Sequence, residues 1–99
     1  MSWHDTRVRW RILREIEAAS HDDPTGTLPW HDAYAAVFGD RESLVAALRY
    51  RWQLTQQAQL DMFLTEPVLD ERLDDLRRRN AGVLRILERH DSEALAHAS

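Results

Sequence analysis

The sequence predicts an all-α fold: a compact antiparallel bundle of four helices over about residues 3–20, 29–38, 41–64 and 66–90. Three observations predict it. Apolar residues recur at three- and four-residue steps along most of the chain, the period of a helix with one buried face. The three glycines and three prolines fall where helices stop or start. No stretch alternates apolar and polar residues as a half-buried strand does.

In the first helix, Ser2 followed by Asp5 resembles a capping box, and Val8, Ile12, Ile16 and Ala19 share one face. The polar run His21 to Thr27, with one proline and one glycine, reads as a flexible loop. Pro29 suits the first position of a short second helix. In that helix Trp30, Ala33, Tyr34, Val37 and Phe38 recur at helical spacing, and Gly39 stops it. Asp40 caps the third helix and Glu42 complements its dipole. The apolar arc of this helix is wide. Leu44, Val45, Leu48, Trp52, Met62 and Phe63 lie on one side, and Ala47, Tyr50, Leu54 and Ala58 on another.

Thr65 is the expected cap of the fourth helix and Pro67 lies near its start. Its seam is Leu69, Leu73, Leu76, Asn80, Val83 and Leu87, at alternating four- and three-residue steps. Acids fill its first half and arginines its second, the order the helix dipole favours. Asp74–Arg78 and Asp75–Arg79 add i,i+4 support. Residues 1–90 form the expected single domain, and 91–99, which lack a stripe, a frayed tail. At ~1.5 Å per residue the third and fourth helices each reach on the order of 36 Å, so the expected core is their hairpin, overlaid by the two shorter helices.

Composition bounds the function. With 99 residues, 17 acids, 13 bases and a net charge of -4, the chain has room for one core and no more. The absence of cysteine excludes disulfides, a thiolate zinc site and a thiol nucleophile. No apolar run approaches the ~20 residues of a membrane span. These features predict a cytoplasmic protein that does not enter membranes. All 13 bases are arginine.

The dipeptide His-Asp occurs at His4, His21, His31 and His90, and invites a metal-dependent hydrolase reading. Adjacent residues point about 100° apart on a helix, so each pair supplies one ligand at best. The preferred reading is that these residues flank helix ends, leaving no metal site, no cofactor and no catalytic residue. A four-helix bundle of this size also leaves little volume for a catalytic pocket.

Nucleic-acid binding draws on the arginine face of the first helix (Arg7, Arg11, Arg14), the run Arg77–Arg79, and Arg49-Tyr50-Arg51-Trp52. The acidic balance argues against it. The segment YAAVFGDRESLVAALRYRW, residues 34–52, resembles the end of the DNA-binding motif of tetracycline-repressor-like regulators, which implies a helix-turn-helix as the alternative function. The Asp-Asp-Pro-Thr-Gly-Thr-Leu-Pro stretch before it departs from that pattern. Over a longer range, LPWHDAYAAVFGDRESLVAALRYRW and LDERLDDLRRRNAGVLRIL resemble a group of small helical proteins of high-GC actinobacteria, including mycobacteria. That resemblance implies the helical fold and cytoplasmic location and assigns no residue a role.

The preferred function is therefore a non-enzymatic module that binds another protein, as a monomer or homodimer. Four tryptophans are many for this length, and each anchors a core or an interface. Trp52 faces the core. Trp10 lies off the Ile12–Ile16 stripe and, with Trp3, is the candidate exposed anchor, beside Arg7, Arg11 and Arg14. Asn80 interrupts the apolar seam: either a buried amide that fixes register, with Gln59 as its partner, or a rim residue seen by water.

Overall fold

The computed structural model describes residues 3–98. Ser2, the expected first cap, lies outside the described residues. Five helices follow one another: α1 (Trp3–His21), α2 (Asp32–Phe38), α3 (Arg41–Leu60), α4 (Glu66–Arg79) and α5 (Ala81–Ala98). The described residues contain no strand.

α1 begins with Asp5 in its first turn and buries Ile12, Leu13, Ile16 and Ser20. α2 is shorter than expected, because Pro29 and Trp30 stay in the preceding loop and His31 takes the cap position in extended conformation. The His31 side chain makes no capping bond. It stands edge-on to Tyr34 instead, with ring centroids 4.6 Å apart. Gly39 ends α2, and Asp40 starts α3 as the sequence predicts, its Oδ1 accepting the Ser43 N–H at 2.8 Å.

Two boundaries differ from expectation. α3 stops at Leu60, and Phe63 has φ of +53°, so it and Met62 leave the apolar face assigned to them. Phe63 is 95 % exposed. The expected fourth helix is two. The Asn80 backbone turns to φ -108° and ψ 20°, and its Nδ2 donates to the Leu76 carbonyl at 2.8 Å. An Asn amide that competes for backbone acceptors in this way favours a helix end. α5 then starts at Ala81 in a new direction and continues through the 91–98 segment to Ala98.

The break redistributes the core. α5 packs along α1 and also meets α3, while α4 rests on α3. Val83, Ile86 and Leu87 of α5 join Ile12, Leu13 and Ile16 of α1, Tyr34 and Phe38 of α2, and Leu44, Val45 and Leu48 of α3. Ile16, Leu44, Leu48 and Ile86 are fully buried. Each such side chain contributes roughly 1.5–3 kcal/mol by leaving water. α4 buries only Leu76. The centre is thus shared by α1, α2, α3 and α5, and the predicted α3/α4 hairpin is not its axis. Trp52 packs against the core half-buried.

Two close approaches fix α5 against α1 and the loop after it. Gly82 is buried against the Ser20 backbone, and a Cβ there would overlap the Ser20 carbonyl. Gly26, with φ of +71°, lies so near the Arg85 carbonyl that a Cβ would come within 2.6 Å of its oxygen. Arginines complete the attachment. Arg85 donates to the carbonyls of Asp23 (3.0 Å), His21 (3.0 Å) and Ser20 (3.3 Å), and so caps the C-terminal end of α1. Arg89 donates to Thr25 O at 3.2 Å and Thr27 Oγ1 at 3.1 Å. Within the loop the Asp23 carboxylate accepts from both the backbone N–H and the hydroxyl of Thr25. The loop expected to be flexible is therefore bound to α5.

Candidate functional site

The outward side of α1 gathers five of the six residues singled out in the sequence. Helical spacing sets Arg7, Arg11 and Arg14 on one stripe (i, i+4, i+7), with Trp3 and Trp10 beside it. In the structure these five line one shallow concavity with Thr6. All three arginines are exposed and form no ion pair among the described residues. Trp3 is 76 % and Trp10 46 % exposed, so neither is a core residue. Their position follows from the opposite face of the helix, where Ile12 and Ile16 are buried in the core.

Asn80, the sixth, does not join them. It borders a small cavity of about 110 Å³ with Glu17, Arg51, Trp52 and Thr55. Its side chain donates to Leu76 O, and the expected pairing with Gln59 is not formed. The buried Gln59 Oε1 has no hydrogen-bond partner. Asn80 thus stands at the end of α4, apart from the other five.

Trp10 borders a second feature, which the sequence did not reveal. Between α1 and α3 runs a groove of about 270 Å³ lined by Thr6, Arg9, Trp10 and Leu13 on one side and Ala47, Tyr50, Arg51 and Leu54 on the other. Tyr50 is 62 % and Leu54 45 % exposed. Both belong to the second apolar arc of α3, which the sequence assigned to a neighbouring helix of the bundle. No neighbour covers it here. Arg51 bridges the two helices: its guanidinium carbon stacks 4.5 Å from the Trp10 ring centroid while its Nε pairs with Glu17. Arg9 is similarly placed over Phe38, 4.6 Å from its centroid.

The Arg49–Trp52 run, read as interleaved cations and aromatics, radiates around α3. Arg49 pairs with Asp91 at 2.6 Å, Tyr50 and Arg51 reach the groove, and Trp52 faces the core. The four His-Asp dipeptides stay apart, and no group of three or more potential metal ligands exists among the described residues. His90 belongs to a surface network tying α5 to α3: its Nε2 is 2.8 Å from Glu42 Oε1 and its Nδ1 3.6 Å from Asp91. The Glu42 hydrogen bond raises the His90 pKa above its ordinary value, with burial opposing. Hydrogen bonding to Arg49 lowers that of Asp91. Arg77 pairs with Asp74 at 3.0 Å, while Asp75 pairs with Arg79 as expected and also with Arg78, which takes no bond from Asp74.

None of these features combines a nucleophile, a base and an orienting group. What the surface offers is an apolar groove with aromatic walls and a cationic rim. Among the described residues, no helix is long and apolar enough to cross a membrane. In comparisons with known proteins, no family model matches this chain, and neither a curated protein nor a solved structure matches it significantly.

Proposed function

We propose that this protein is a cytoplasmic, non-enzymatic binding module that receives a segment of another protein in the α1–α3 groove. The observation that carries the reading is the exposed Trp10 on α1 and the exposed Tyr50 and Leu54 on α3, on either side of that groove. Exposed apolar residues flanking a groove between two helices present the ridges into which a third amphipathic helix packs. Trp and Tyr at the centre of a concave patch are the residue types that dominate binding energy. The rim arginines Arg9 and Arg51, with Arg11 and Arg14 nearby, favour a partner helix bearing carboxylates beside its apolar face.

The test is cross-linked affinity capture from the native host, comparing the wild type with Trp10→Ala/Tyr50→Ala/Leu54→Ala. The reading expects a partner held by the wild type and lost by the variant, with cross-links mapping to α1 and α3 around the groove. A partner retained equally by the variant, or cross-linked elsewhere, overturns it.

A further inference from the structure

We propose that this chain also pairs with a second copy of itself, the arginine stripe of α1 in each copy lying against the acidic stripe of α4 in the other. The inference goes beyond the groove reading and stands on the charged stripes of α1 and α4, not on the apolar walls of the groove. Arg7, Arg11 and Arg14 run along about 10 Å of one face of α1, at ~1.5 Å of rise per residue. Glu66, Asp70 and Glu71 cover about 7.5 Å of α4 at the same rise. All six side chains belong to exposed residues, and none of the six forms an ion pair among the described residues.

Arg49, Arg51, Arg77, Arg78, Arg79 and Arg89, by contrast, have carboxylate partners within the chain. Each stripe also repels itself. Like charges at i and i+4 are unfavourable, and both Arg7–Arg11 and Glu66–Asp70 have that spacing. An opposite stripe relieves both at once. Within one chain they cannot meet, since α1 and α4 share no extended contact.

The shape of the chain agrees. Its radius of gyration is 15.0 Å, where a compact domain of this length has about 13 Å. α4 is the helix with one buried residue, and so has the most surface left to cover. Exposed Trp3 and Trp10 border the arginine stripe, and half-buried Leu73 lies one turn beyond Asp70. A two-fold axis forms the α1–α4 contact twice, so the pairing closes as a dimer.

Charge swapping tests it. Analytical ultracentrifugation of the wild type at low salt should give a species of twice 11.6 kDa that dissociates on dilution and on adding salt. Arg7→Glu/Arg11→Glu/Arg14→Glu and Glu66→Arg/Asp70→Arg/Glu71→Arg should each weaken self-association on the order of a hundredfold, by placing like charges opposite one another. Mixed one to one, the two variants should form a dimer, because in that pair both contacts are again complementary. Circular dichroism checks that each is folded, and the single pair Arg11→Glu and Asp70→Arg serves if a triple variant is not. A wild type that stays monomeric at every concentration, or variants that do not restore the dimer on mixing, overturns the proposal. The groove reading is tested separately, by Trp10→Ala/Tyr50→Ala/Leu54→Ala, and the α4 swap Glu66→Arg/Asp70→Arg/Glu71→Arg leaves every residue of the groove in place.

Discussion

Replacing Gly82 by alanine adds a single methyl group where α5 crosses the end of α1. In an unconstrained helix interior the change stabilises by about 1 kcal/mol, since glycine loses more backbone entropy on folding. Here the added Cβ would sit 2.5 Å from the Ser20 carbonyl carbon and 2.6 Å from its Oγ, and closer still to the carbonyl oxygen. No rotamer relieves a clash with backbone. The helices must separate, which loosens the Val83 and Ile86 packing and lengthens the Arg85 bonds to Ser20 and His21. Overpacking of this kind costs about 1–3 kcal/mol, enough to exceed the propensity gain. In thermal unfolding by circular dichroism, Gly82→Ala should lower Tm, by roughly 4–8 °C for each net kcal/mol in a domain of this size. Adding Ser20→Ala removes the hydroxyl but not the carbonyl, so it should not rescue the variant. A rise in Tm for Gly82→Ala would refute the close crossing.

Leu48→Ala, at a fully buried position, should cost about 2–5 kcal/mol in denaturant unfolding, whereas Trp10→Ala should cost under about 1 kcal/mol because the ring is nearly half exposed. Arg85→Ala removes three bonds to the loop and the α1 end, and should cost about 2–3 kcal/mol while hydrogen exchange of residues 22–27 accelerates. His90 should titrate above 6.5 by NMR, and Glu42→Gln should bring it down. Because the folded pKa is the raised one, this contact contributes its full stability below pH 6.5 and loses it as pH climbs through the folded value. Asp91 has the opposite sign: its contribution is present above the ordinary 3.8 and is lost as pH falls through the lowered folded value.

The elements governed by local chemistry were legible in the sequence. The Gly39 stop, the Asp40 cap and the Val8, Ile12 and Ile16 part of the first stripe appear as read, because each depends on neighbouring residues, whereas Ala19, assigned to the same face, is exposed and Leu13 and Ser20 are buried instead. The break at Asn80 was not. The four- and three-residue alternation passes through it in step, so Leu76 and Val83 look like one seam although they lie on two helices. The early end of α3 carries no glycine or proline to announce it, and a left-handed Phe63 is a conformation that composition does not suggest.

Long-range attachments were equally hidden. Arg85 and Arg89 look like helix-end cations, yet they bond a loop more than sixty residues earlier in the chain. Of the surface, the α1 residues were found from their offset to the buried stripe. Tyr50 and Leu54 were missed for the complementary reason: an apolar arc says that something covers it, and among the described residues both stay exposed.

Hydroxyl-radical footprinting of Trp10 and Tyr50 in intact host cells, against the purified protein at high dilution, tests the binding surface most directly. The account predicts several-fold protection of both rings in cells, while Phe63, on the distant α3–α4 turn, oxidises equally in the two samples. Equal oxidation of Trp10 and Tyr50 in cells and in dilute solution would contradict it.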